Sequence, residues 1–142
     1  MKFSSLLLAM LVSICACAQT ASRVPDEPLE NTYWKLIRVG DAPAVAAPQR
    51  REPHFILHRD GKRVSGSGGC NQFIGGYEVK GDQLSFTRLA KTAMACVETM
   101  DSEREFLAAL QRVRVARIRQ MQLELLDASG TVVAWFEAVH FR

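Results

Sequence analysis

The chain has 142 residues, 48% of them hydrophobic and 23% charged. This is the composition of one compact domain with a short appendage, and it excludes a disordered or fibrous protein. The formal net charge of +3 is too mild to point to a nucleic-acid partner.

The N-terminus, "MKFSSLLLAMLVSICACAQT", places Lys2 before an apolar run from Leu6 to Ile14 and then small residues. That layout predicts a secretory signal peptide over residues 1–18, too short to span a bilayer as a helix. Two processing sites overlap. Ala16-Cys17-Ala18 before Gln19 suits ordinary signal peptidase, whereas Ile14-Cys15-Ala16-Cys17 resembles a lipobox, with cleavage before Cys17 and lipidation of that cysteine. The lipobox reading is the favoured one, although Cys15 stands where a small or β-branched residue is usual. It implies a firm membrane anchor, since each buried methylene contributes about 0.8 kcal/mol. Ala18 rather than Asp after the lipidated cysteine points to an outer-membrane lipoprotein facing the periplasm; the alternative is a soluble periplasmic or secreted protein. Residues 19–30, with Pro25 and Pro28, read as a polar tether.

A single domain is expected over residues 31–141. "NTYWKLIRVG" alternates as a strand, Trp34 and Leu36 on one face, Tyr33 on the other, with Val39 rejoining after a slip. The three prolines of "DAPAVAAPQRREP" predict a surface loop. "HFILHRDGKRVSGSG" reads as two strands joined at Asp60-Gly61, with Phe55 and Leu57 opposite His54, Ile56 and His58. A second hairpin, "GYEVKGDQLSF", sets Tyr77 and Val79 across from Leu84 and Phe86. "TRLAKTAMACVETM" looks irregular. In "DSEREFLAALQRV" the period changes: Phe106, Leu107, Leu110 and Val113 fall at helical spacing, and Ser102 with Glu105 suggests a capping box. Three strands follow, the last two joined by Ala128-Ser129-Gly130. Nothing alternates strand with helix as a parallel sheet needs. The predicted fold is therefore α+β, a curved, mostly antiparallel β-sheet packed around one main amphipathic helix.

The stretch "GSGGCNQFIGGY", residues 66–77, fails as a phosphate loop, because its glycines lie between hairpins and no helix or lysine follows them. A chain reversal or a close backbone approach is the better reading. Of four cysteines, Cys70 and Cys96 remain after export. An even pair in an oxidising compartment favours a disulfide over free thiols or metal, and such a bridge stabilises by roughly 3.5 kcal/mol on the chain-entropy model. His54 and His58 stand about 13 Å apart along one strand face, too far to chelate one metal, and His140 has no companion in view. No serine sits in a nucleophile elbow or a Ser-x-x-Lys pattern. Catalytic residues, cofactor and metal are thus all expected to be absent. Arg112, Arg114, Arg117 and Arg119 could form a face for an anionic partner, against the plainer reading of a solvated helix end and strand.

Taken together, Trp34 and Leu36, the block "FIL...DGKRVSGSGGCNQFIGGYEV" with Gly66, Gly69, Cys70, Asn71, Gly75 and Tyr77, then Leu84, Thr92, Met94, Ala95 and Cys96, and Phe106 and Leu110 of the helix resemble the META domain, the family of the bacterial heat-shock lipoprotein HslJ. The Gly-Cys-Asn and Thr-x-Met-Ala-Cys elements at this separation are the specific part, and the resemblance covers nearly all of the chain after the tether. It implies a curved antiparallel sheet on a helix, family cysteines at Cys70 and Cys96, and no established catalytic activity. It further implies a stress-response role. The long loop from Asp41 to Arg51 departs from the pattern. The expected protein is a monomeric, non-catalytic envelope lipoprotein that touches the membrane through its anchor and meets an envelope protein or anionic ligand. The alternative is a small-molecule-binding or protein-inhibitor module of the periplasm.

Overall fold

A computed structural model describes residues 24–141; the expected signal peptide, its cleavage sites and the lipidation site Cys17 lie outside the described residues. Among the described residues the strands are β1 (Tyr33–Val39), β2 (Ala42–Pro43), β3 (His54–His58), β4 (Arg63–Ser67), β5 (Gln72–Lys80), β6 (Gln83–Lys91), β7 (Val115–Arg119), β8 (Gln122–Leu126) and β9 (Val132–Val139), with helix α1 (Met100–Arg112) between β6 and β7. Each strand from β3 to β9 pairs antiparallel with the next, and β1 joins both ends, pairing with β3 on one edge and with β9 on the other. The curved antiparallel sheet thus closes into a barrel, with β2 appended to the C-terminal end of β1.

Closure follows from the alternation in the sequence. Trp34, Leu36, Phe55, Leu57, Phe73, Tyr77, Leu84, Leu123, Leu125 and Phe136 all point inward and are buried, and each large side chain removed from water contributes about 2 kcal/mol. Helix α1 supplies Phe106, Ala109 and Leu110 to the same core. Its Phe106 ring meets Phe73 edge-on at 5.9 Å and lies 5.9 Å from Phe136, so the helix stripe completes a continuous aromatic interior.

The second hairpin has the expected register, Tyr77 opposite Phe86 and Val79 opposite Leu84. The slip near Val39 is a bulge between Leu36 and Arg38 against β9. Four expectations need correction. The connection at Asp60-Gly61 spans four residues, with one 3-10 turn, because both Gly61 (φ 73°) and Lys62 (φ 48°) are left-handed. Strand β6 runs on to Lys91 through the stretch expected to be irregular; a bulge between Ile74 and Gly76 and a left-handed Arg88 (φ 51°) interrupt the period-two signal there. The capping box does not form. The Thr99 carbonyl accepts the Glu103 amide at 2.9 Å, so the helix starts earlier, and Ser102 lies inside the first turn donating to that same carbonyl. Finally, the end of the expected tether is bonded to the barrel. The Gln120 amide donates to Asp26 Oδ1 (2.6 Å), the Glu27 amide to the Gln120 carbonyl (2.9 Å), Thr32 Oγ1 to the Pro28 carbonyl (2.6 Å) and Trp34 Nε1 to the Leu29 carbonyl (3.0 Å).

One seam in the barrel is thin. β6 and β7 share the single pair Gln83 and Val115, flanked by the Leu84 amide donating to the Arg114 carbonyl and the Ala116 amide to the Asp82 carbonyl.

Candidate functional site

The glycine-rich stretch that the sequence singles out is an internal joint. Asn71 and Glu103 of α1 lock together there: the Asn71 amide donates to Glu103 Oε2 at 2.7 Å and Asn71 Nδ2 to Oε1 at 2.9 Å. Lys91 Nζ donates to the same Oε1 at 2.8 Å. Asn71 Oδ1 accepts from Thr92 Oγ1 (2.8 Å) and from the Met94 amide (2.7 Å). A Cβ on Gly68 would stand 2.4 Å from Glu103 Cγ, so only glycine lets the helix carboxylate come this close. Burial opposes the Glu103 charge, but the Lys91 ammonium and the two Asn71 donors outweigh it and hold its carboxyl below the ordinary value. Among the described residues no buried side-chain nitrogen or oxygen lacks a partner. The Glu103 carboxylate thus accepts three hydrogen bonds from within the fold.

Cys70 and Cys96 are joined by a disulfide, with their Cα atoms 5.9 Å apart. The Cys96 carbonyl accepts the Met100 amide, so the bridge also sets where α1 begins.

Opposite this buried joint, the outer face of β4, β5 and β6 carries a groove of about 380 Å³ lined by His58, Lys62, Arg63, Ser65, Gly76 and Arg88, with Ile74 and Ala90 forming an apolar wall. Two local features create it. The bulge beside Gly75 and Gly76 removes side chains from the floor, and a Cβ on Gly76 would meet Thr87 Oγ1 at 2.7 Å and the Arg88 guanidinium at 3.9 Å. Arg88 in turn holds a left-handed backbone that disfavours a side-chain-bearing residue by about 1 kcal/mol. His58 Nε2 and Ser65 Oγ share a hydrogen bond of 2.7 Å.

Lys62 at the rim is held by Glu30, which also accepts from Arg59 Nε at 2.9 Å and from the Tyr77 hydroxyl at 2.6 Å. These donors, Lys62 first, lower the Glu30 carboxyl to about 2. Among the described residues Arg63 and Arg88 form no ion pair, and no carboxylate lines the groove.

The four arginines that could have formed one face, against the plainer reading of a solvated helix end and strand, have different surroundings. Arg112 lines a cleft shared with Asp41, Glu105 and Asp127. Arg114 turns back to donate to the Val113 carbonyl at 2.6 Å. Arg117 and Arg119 alternate along the outer side of β7, and Arg117 pairs with Glu124 at 3.1 Å. His54 stacks on Tyr33 with ring centroids 4.3 Å apart, and burial lowers its pKa. His140 does have a companion, Glu27, at 3.1 Å. Among the described residues no three His, Cys, Asp or Glu side chains gather as a metal would need. No carboxylate bonds the His58 imidazole there, so His58 and Ser65 lack the third member of a hydrolytic triad.

Sequence reasoning missed the groove and Glu103. For Glu103 a signal existed: it lies three residues before Phe106 and seven before Leu110, placing a carboxylate on the buried stripe of the helix.

The family model described as META domain matches residues 27–140. A protein from Burkholderia xenovorans solved by NMR is 28% identical, with a TM-score of 0.63 over 80% of this chain and 85% of that one. A second protein solved by NMR, 21% identical, superposes with a TM-score of 0.59 over 77% of this chain and 90% of that one, a likeness in fold alone. No curated protein matches the chain.

Proposed function

Because the chain belongs to the META domain family, we propose that it is a non-catalytic, exported binding protein of the bacterial envelope, anchored through lipid on Cys17 and acting in stress response. One observation carries the non-catalytic part. The residues that make the family recognisable, Gly68 to Asn71 and Thr92 to Cys96, bond to Glu103 and to one another, the first segment buried and the second covering it from the surface. These bonds hold the helix in the barrel, a structural role that supports the non-catalytic reading. The layout of residues 1–18 and the Cys70–Cys96 bridge support export, since such a bridge persists in oxidising compartments.

Two readouts test this function. Intact mass of the protein from the envelope fraction is expected to fit a chain beginning at an acylated Cys17, with accumulation of the precursor under globomycin. An unmodified chain starting at Gln19 would overturn the anchor. Deletion of the gene is expected to lower survival under envelope stress, and unchanged survival across heat, detergent and antibiotic challenge would overturn the stress role.

The second reading, a small-molecule-binding module, is favoured by the glycine-floored groove on β4 to β6. It keeps the protein non-catalytic but places its work on the barrel wall.

A further inference from the structure

We propose that the groove on the outer face of β4, β5 and β6 binds a phosphate group carried on an apolar chain. The proposal rests on the binding-protein reading above and names the ligand class of that site.

Three observations converge on it. The first is charge complementarity. Arg63 and Arg88 come from different strands and reach the same groove, where among the described residues neither forms an ion pair and no carboxylate is in the lining. Guanidinium groups match phosphate oxygens with paired N–H donors, and the hydrogen-bonded His58 and Ser65 pair adds a polar edge to the set. Lys62, already held by Glu30, contributes less.

The second is the strain at Arg88. A left-handed backbone is where glycine is expected, yet an arginine occupies it and lays its guanidinium over the bare floor at Gly76. A residue kept in a costly conformation at the mouth of a cavity points to a role outside folding. The third is the apolar wall. Ile74 is 64% exposed on β5 and faces the groove beside Ala90, so a hydrocarbon attached to the bound phosphate has somewhere to lie. A bare ion would leave that wall wet.

Arg88→Gly separates ligand binding from stability. Glycine relieves the left-handed strain, so the variant is expected to fold with unchanged or raised thermal stability. NMR titrations of the full chain would use octyl phosphate, inorganic phosphate and the neutral octyl glucoside. Octyl phosphate is expected to saturate with shifts confined to the amides of Ser65, Ile74 to Gly76 and Arg88. Affinity should fall at least tenfold in Arg88→Gly and in Arg63→Gln. Ile74→Ser should weaken octyl phosphate several-fold while leaving inorganic phosphate unchanged.

Equal binding of octyl glucoside, shifts elsewhere on the barrel, or unaltered affinity in both arginine variants would each overturn the phosphate site. Inorganic phosphate binding as tightly as octyl phosphate would overturn the apolar half and leave a free-phosphate site. These measurements are made on isolated protein. They can therefore fail while the lipid anchor and stress role stand, or succeed if those do not.

Discussion

At Gly68 and Glu103 a missing side chain on one residue makes room for a charged one on another. An alanine at position 68 would drive its Cβ into Glu103 Cγ at 2.4 Å, and the packed surroundings can yield only by moving the carboxylate off Asn71. Gly68→Ala is expected to cost about 2 kcal/mol, read as a lower denaturant midpoint. Glu103→Ala is expected to cost about 3 kcal/mol, because it strands the Asn71 donors as well as removing an acceptor from Lys91. Stability unchanged within 0.5 kcal/mol in either variant, an interval of about the size usual for neutral surface changes, would contradict the joint. The sequence marks both positions, one by its glycine run and the other by helical spacing, but it does not pair them. Asn71 and Glu103 are 32 residues apart, and spacing within a helix says which face a residue occupies without saying what meets it.

Among the elements, the N-terminal segment is held by a contact whose strength depends on pH. Glu30 ties residues before β1 to the turn between β3 and β4, through Arg59 and Lys62, and to β5 through Tyr77. Its folded carboxyl is depressed from 4.5 to about 2. A depressed carboxylate contributes stability that is whole above the unfolded value and is lost as pH falls through the folded one. The wild-type chain should therefore lose this contribution between about pH 4.5 and 2, and Glu30→Gln should flatten that limb of the acid-unfolding curve. Arg59 and Lys62 are 64% and 51% exposed, so screening limits the cost at neutral pH to about 1 kcal/mol, smaller still in high salt. An acid limb identical in both proteins would remove Glu30 from the account. Alternating apolar residues revealed both hairpins, and helical spacing revealed the helix, since period is local. Residues 26–30 carry no period, and their attachment depends on partners as distant as Gln120. The groove was hidden for a similar reason: Arg63, Ser65 and Arg88 adjoin only through strand pairing, and the bulge that opens the floor also breaks the alternation that would have announced the strand.

The whole barrel is closed by ladders of unequal strength. β1 meets β9 along almost its full length, whereas β6 and β7 share one residue pair. The least costly sub-global opening should run along that seam. Native-state hydrogen exchange is expected to release the amides of Leu84 and Ala116, which bridge it, before those of Leu36 and Phe136; equal protection would show that the helix alone keeps the seam shut. The seam's weakness has a simple origin, because the chain leaves β6 for the disulfide loop and α1 before returning as β7. Neither composition nor periodicity reports which neighbouring strands will be short of partners.

The bonds from Asp26 and Glu27 to Gln120 also set a leash. If the chain is lipidated at Cys17, nine peptide steps separate the anchor from the first docked residue, a reach of about 30 Å when fully drawn out. Strand register places the turn that holds Gln120 around the same rim as Arg59, Lys62 and Arg63. Such a leash would keep this rim within about 30 Å of the bilayer, whichever way the barrel turns.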